Sequence, residues 1–152
     1  MPVVERIRDA TLDEVGALES LQRRSSSIWG PAHRSPAADP DAVELPSDAV
    51  REQRVRVAVG TNERLVGFSL VLPTRKRVCE LDSLFVDPDF LRCGVGRSLM
   101  ADVLERARGE HAKRLDVIAD PRAAGFYERM GFRSAGQVTT WSGPALRMRV
   151  GL

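Results

Sequence analysis

Two cysteines, two histidines and one tyrosine are spread over 152 residues, and each scarcity removes a class of chemistry. Cys79 and Cys93 have no C-x-x-C spacing, so neither a zinc site nor a disulfide framework is expected. His33 and His111 stand too far from other ligand types to suggest a metal cluster, and no metal is expected. The sequence has no G-x-S-x-G elbow to support a Ser-His-Asp hydrolase. No apolar run approaches the roughly 18–20 residues of a membrane span. The start, "MPVVERIRD", lacks the apolar core of an export signal. We therefore expect a cytoplasmic protein without a membrane partner. A net charge of +2 and a pI near 8.8 are too mild to announce a nucleic-acid partner. The one basic cluster, Arg75-Lys76-Arg77 beside Pro73, reads as a solvated turn.

What is present suits one globular domain over residues 1–152: 43% hydrophobic and 29% charged residues, with no internal repeat. "VVERIRDAT" reads as a short strand. Thr11 and Glu14 then have the spacing of a capping box, opening a helix that buries Val15, Leu18 and Leu21 and frays near Ser25-Ser26-Ser27. From Ser25 to Pro46 the prolines forbid a long regular element, and a short helix near Asp41–Arg51 is the most this stretch offers. Trp29 within it either pins the loop to the core or lines a pocket. Arg54–Gly60 and Leu65–Pro73 read as a hairpin, and Val78–Val86 adds a third antiparallel strand. A helix follows over Gly94–Arg108, with Leu99, Val103, Leu104 and Ala107 inward. Arg114–Ala119 is the next strand. Asp120-Pro121 caps a helix that ends at Met130 with Gly131 as its left-handed stop. "SAGQVTTW" and "ALRMRV" close the chain as two strands. The order predicts an α+β fold, an α/β/α sandwich of one mixed, mostly antiparallel sheet with helices on both faces.

The chemistry concentrates at "LFVDPDFLRCGVGRSLM", Leu84–Met100. A strand ends, a loop follows, and Gly94 and Gly96 open a helix. A helix start offers unpaired N–H groups and the positive end of the dipole, a natural seat for phosphate. The amides of Val95, Gly96, Arg97 and Ser98 are the expected donors, and Arg92 and Arg97 the counter-charges, with Cys93 inside the loop. A dinucleotide turn fits poorly, because Leu99 stands at the third glycine position and Asp87–Cys93 separate strand from turn. A Walker loop is excluded, since no Gly-Lys-Ser/Thr follows.

This segment, together with "ADPRAAGFYERMGF", resembles the GNAT superfamily of acyl-CoA-dependent N-acetyltransferases. The first stretch matches the family's strand, glycine loop and helix. In the second, Ala123, Phe126-Tyr127 and Gly131-Phe132 occupy the places of its A-x-x-F/L-Y-x-x-x-G-F signature. The resemblance covers most of the chain from Arg54 onward. It implies the GNAT fold, acetyl-CoA as cosubstrate, and a pyrophosphate held at the Gly94 loop. Leu91 stands where the family carries Gln or Arg, so that side-chain contact is lost. Asp120 stands where the family usually has Asn, and it cannot donate when ionised.

The reaction so implied is attack by a primary amine on a thioester, either as an enzyme or, alternatively, on a catalytically weak CoA-binding sensor of the same fold. An amine with a pKa near ~10 must lose a proton before attack, the departing thiolate must gain one, and the carbonyl oxygen needs a donor. Glu80 is the expected base, acting through water, with Asp82 in reserve on the same strand face. Tyr127 is the expected acid, with Phe126 beside it, and the N–H groups near Phe85 and Val86 would polarise the carbonyl. The acceptor is a small-molecule or peptide amine, met by the loops Ser25–Pro46 and Val138–Arg147. Asp39, Asp41, Glu44 and Asp48 either attract it or form a solvated acidic face. A homodimer is compatible with the exposed sheet edges of such a fold.

Overall fold

The computed structural model describes residues 3–27, 45–140 and 143–152. Among these, seven strands form one sheet in the order β1-β2-β3-β4-β5-β7-β6. They are β1 (Arg6–Asp9), β2 (Val55–Val59), β3 (Leu65–Val71), β4 (Val78–Val86), β5 (Arg114–Ala119), β6 (Arg133–Thr140) and β7 (Gly143–Gly151). Every neighbouring pair is antiparallel except β4 and β5, which are parallel. That exception has a covalent cause: α3 (Val95–Gly109) is the crossover that parallel neighbours require.

Alternation along the strands divides the core. Val55, Val57, Phe68 and Leu70 meet Leu18 and Leu21 of α1 (Val15–Ser27) and Ala49 and Val50 of α2 (Ser47–Arg51) on one face. On the other face Leu81, Leu115 and Val117 meet Met100, Val103 and Ala107 of α3 and Tyr127 of α4 (Ala124–Arg129). The expected α+β sandwich is observed, with a 3-10 turn leading into α1 and another, Pro121–Ala123, leading into α4. Gly131 adopts φ +97° as the expected stop.

α1 ends at Ser27, within the stretch expected to close it, with Ser25 buried and Arg24 ion-paired with Asp87. The short helix is confined to Ser47–Arg51. Trp29, Asp39, Asp41 and Glu44 lie outside the described residues, and Asp48 is exposed.

Glu14 holds the start of α1 through the Thr11 backbone N–H at 2.9 Å and a two-pronged ion pair with Arg8 at 2.9 and 2.8 Å. The Arg8 guanidinium brings the Glu14 carboxyl down to about 2 from an ordinary 4.5. A depressed carboxyl contributes stability that is present above its unfolded pKa and lost as pH falls through the folded one. About 1–3 kcal/mol is therefore expected to disappear between pH 4.5 and 2. Urea melts across that range should show the loss, and Glu14→Gln should flatten it.

Candidate active site

β4 and β5 pair in register from Val78↔Arg114 to Leu81↔Val117, and there the pairing stops. β4 continues to Val86, held on its other edge by β3 as far as Gly67↔Val86. The parallel strands therefore part, and a cleft of about 870 Å³ opens where they do, within the size range of small-ligand sites. Asp82–Val86 form one wall, Ile118–Asp120 at the end of β5 form another, and the starts of α3 and α4 close the far end. Ser25 of α1 borders it as well.

The β3 register slips so that Leu70 faces Ser83 and Val71 faces Leu81. Asp82 is the extra residue of this bulge, a device that re-aims a side chain. Asp82 lines the cleft. Glu80 is exposed on the same strand face but lies outside the cleft wall, beside Asp116 across the parallel register. Asp116 is itself engaged by Arg114 at 2.7 Å and Arg149 at 3.5 Å.

Backbone direction sorts the donors on β4. The Asp87 N–H donates to Val66 O on β3 at 2.8 Å. Successive residues of a strand present their backbone groups to opposite edges, so the Phe85 N–H also faces β3. The N–H groups of Leu84 and Val86 face the opened side. Of the two expected carbonyl-polarising amides, Val86 has that orientation and Phe85 does not. The Phe85 ring instead packs 5.6 Å from Phe68 while bordering the cleft.

At the far end, Gly94 takes φ +83° as the residue before α3, a left-handed conformation that costs glycine least. Arg92, two residues earlier, is also left-handed at φ +60°. The Ser98 N–H is already donated to Gly94 O at 3.0 Å, so Ser98 is corrected out of the donor set. The unpaired amides are those of Gly94, Val95, Gly96 and Arg97, the ones a helix start leaves over. Cys93 and Ser98 do not line the cleft, and the Cys93 thiol donates to Leu91 O at 3.4 Å. Leu91 does border it, 43% exposed.

Gly96 serves packing as much as ligand approach. A Cβ there would stand 3.1 Å from the Phe126 ring, so the absence of a side chain lets Phe126 close against α3. Phe126 and Tyr127 meet edge to face at 5.2 Å, and Tyr127 and Phe132 at 5.4 Å. Tyr127 borders the cleft yet is only 8% exposed, and burial pushes its hydroxyl up to about 12. Asp120 accepts the Arg122 backbone N–H at 2.8 Å and its Nε at 3.1 Å, which makes it a cap with a partner.

Arg92, Arg97, Arg122 and Arg129 border the cleft, against Asp82 and Asp120, so the field at the helix end favours an anion. Arg122 and Arg129 were not expected from the sequence. Their spacing around Phe126, positions i, i+4 and i+7, marks one helix face and is the signal that would have found them.

A mixed sheet parted at its parallel pair, with backbone amides and arginine side chains bordering the far end of the cleft, defines an α+β class of protein. The chain belongs to the acetyltransferase (GNAT) family, whose model matches residues 18–132. It is 34% identical over 94 residues to the peptidyl-lysine N-acetyltransferase YjaB of Salmonella typhimurium, covering 62% of this chain and 60% of that protein. The Escherichia coli protein of the same name is 36% identical over 81 residues, 53% of this chain and 50% of its own. The chain thus spans 60% and 50% of the length of these curated relatives in the matched regions. Among solved structures, a GCN5-related N-acetyltransferase from Rhodopseudomonas palustris superposes with a TM-score of 0.78 at 19% identity, covering 100% of this chain and 98% of that one. The PaiA N-acetyltransferase of Thermoplasma acidophilum, solved in complex with coenzyme A, gives 0.78 at 14% identity, covering 97% and 98%.

Proposed function

We propose that this protein transfers an acetyl group from acetyl-CoA to a primary amine, with the lysine side chain of a peptide as the leading acceptor. The observation that carries the reading is the parting of β4 and β5 beyond Leu81 and Val117, with unpaired amides at the start of α3 closing one end. The relatives described as peptidyl-lysine acetyltransferases support the choice of acceptor.

The donor supplies a thioester, and the chain supplies position, charge and protons. The N–H groups of Gly94–Arg97 and the guanidinium groups of Arg92 and Arg97 take the pyrophosphate. Phe126 and Asp120 flank the arm that leads inward. The Val86 N–H polarises the acyl oxygen. Glu80 takes the amine proton through an intervening water, since it sits behind the cleft wall. Asp82, on the wall, draws the cationic amine in. The amine nitrogen bonds to the acyl carbon as the carbon–sulfur bond breaks, and Tyr127 stabilises the departing sulfur from its hydroxyl. The nitrogen's surplus proton passes to the sulfur as the adduct collapses, and the products are an amide and a free thiol.

Incubation with acetyl-CoA and a panel of small amines and lysine peptides should release thiol only with an acceptor present. Glu80→Gln should lower kcat by about 10²-fold or more, while Asp82→Asn should mainly raise the KM for the amine. A kcat loss confined to Asp82→Asn would exchange the two roles. Binding of CoA without turnover on any amine would overturn the enzymatic reading.

A further inference from the structure

We infer that Asp87 and Arg64 are positioning residues that hold the anion-binding loop in shape for its ligand. The inference rests on the CoA-binding reading above. Leu91 offers that ligand no side-chain donor, so affinity leans on the backbone amides and the Arg92 and Arg97 side chains of one loop, and these bind well only when that loop is fixed beforehand.

The Asp87 carboxylate is 1% exposed at the junction between β4 and the turn Pro88–Phe90. It accepts three hydrogen bonds, each from a different part of the chain. The Asp89 N–H reaches it at 2.9 Å from within the turn, Arg24 Nη2 at 3.0 Å from α1, and Arg64 Nη2 at 3.4 Å from the β2–β3 connection. Burial alone would push this carboxyl up, but the Asp89 amide and the two guanidinium groups hold it below its ordinary value. The carboxylate is therefore charged, and removing it would leave two arginines facing a buried gap.

Arg64 grips the same turn at two further points. Its Nη2 lies 2.9 Å from Asp89 Oδ2, and its guanidinium carbon stands 4.7 Å from the centre of the Phe90 ring. The Asp89 contact is between exposed groups and is weak taken alone. The ring contact and the buried carboxylate give it direction, because a planar guanidinium satisfies both at once. Phe90 borders the cleft immediately before Leu91 and the left-handed Arg92. Arg64 itself does not border the cleft, so it acts on the ligand through the turn. Arg24 carries the same carboxylate to α1, whose next residue, Ser25, borders the cleft on the other side.

The test is titration calorimetry with CoA, steady-state kinetics and thermal melts on Arg64→Ala and Arg64→Lys in the full chain. Arg64→Ala should weaken CoA about ten-fold and raise the KM for acetyl-CoA in step, with kcat within two-fold and the melting temperature almost unchanged. Arg64→Lys keeps the charge beside Asp87 and loses the planar stack, so it should recover part of the affinity. Asp87→Asn should lose more CoA affinity than Arg64→Ala and also melt lower, because its carboxylate is buried and accepts from three parts of the chain. An unchanged CoA affinity in Arg64→Ala, or a fall in kcat with affinity intact, would overturn the inference. Failure of the unaltered protein to bind CoA would instead overturn the function proposed above.

Discussion

Tyr127→Phe is expected to lower kcat about 10²-fold while leaving CoA affinity and the neutral-pH melting temperature close to those of the unaltered protein. The ring is packed edge to face against Phe126 and Phe132, and Phe keeps every one of those contacts. Only the hydroxyl goes. Burial pushes that hydroxyl up to about 12, which decides how it works. An alkyl thiol titrates near ~8.5, so complete proton transfer from Tyr127 to the thiolate would be uphill by about 3.5 units, or about 5 kcal/mol. The phenol therefore contributes mainly as a fixed hydrogen-bond donor to charge developing on sulfur. Removing one such donor costs about 10²–10³-fold in comparable settings, and the lower end applies because sulfur is a soft acceptor. The same burial leaves a mark on stability. A folded pKa raised from 10 to about 12 contributes stability that is fully present below pH 10 and lost as pH rises toward 12. The loss amounts to about 2–3 kcal/mol and should be absent in Tyr127→Phe. Unchanged kcat in the variant would remove Tyr127 from the mechanism, and an unchanged alkaline melt would contradict its burial.

How much of this was legible in the sequence depends on whether one segment or two decide the feature. β4 and β5 have the predicted bounds, because runs such as "VCELDSLFV" and "RLDVIA" are apolar or β-branched at the right period and are bounded by turn residues. The helix start at Gly94 was legible for the same local reason. The cleft was not, because it exists only where two strands distant in sequence cease to pair, and neither strand announces the register of the other. The roles of Glu80 and Asp82 depended on that same point. Two-residue alternation puts them on one face, but only the end of pairing and the slip against β3 separate wall from hinterland. Likewise the three serines mark the end of α1 locally, but nothing near them shows that Arg24 meets Asp87 sixty-three positions later. Asp87 read only as the first residue of the loop that separates β4 from the Gly94 turn; its burial came from tertiary structure.

Gly67→Ala is expected to be the most damaging single-methyl change near the site, although Gly67 belongs to no motif. A Cβ at this position would stand 2.8 Å from Phe85 O, 2.9 Å from Val95 Cγ1 and 3.0 Å from Leu99 Cδ1. Each neighbour has a reason not to yield. Phe85 O belongs to the backbone of β4, in a stretch that β3 holds through Gly67↔Val86 and Phe68↔Phe85. Val95 and Leu99 are buried in the first turns of α3. Overpacking of this kind costs about 1–3 kcal/mol, and for a chain of this size that corresponds to a fall of roughly 3–10 °C in melting temperature. Relief at Phe85 O requires a shift of the β4 backbone, and relief at Val95 and Leu99 comes from moving α3 away from the sheet. That movement would carry the amides of Gly94–Arg97 away from Val86, so the KM for acetyl-CoA should rise together with the loss of stability. Gly16→Ala is the matched control: nothing lies within 4 Å of its Cβ position, and in a helix the change should stabilise by about 0.5–1 kcal/mol. If Gly67→Ala melted like Gly16→Ala and bound CoA unchanged, α3 would not be seated against β3 and β4 as closely as the fold requires. The glycines at 94 and 96 would then shape the anion site without the support from behind that we assign to position 67.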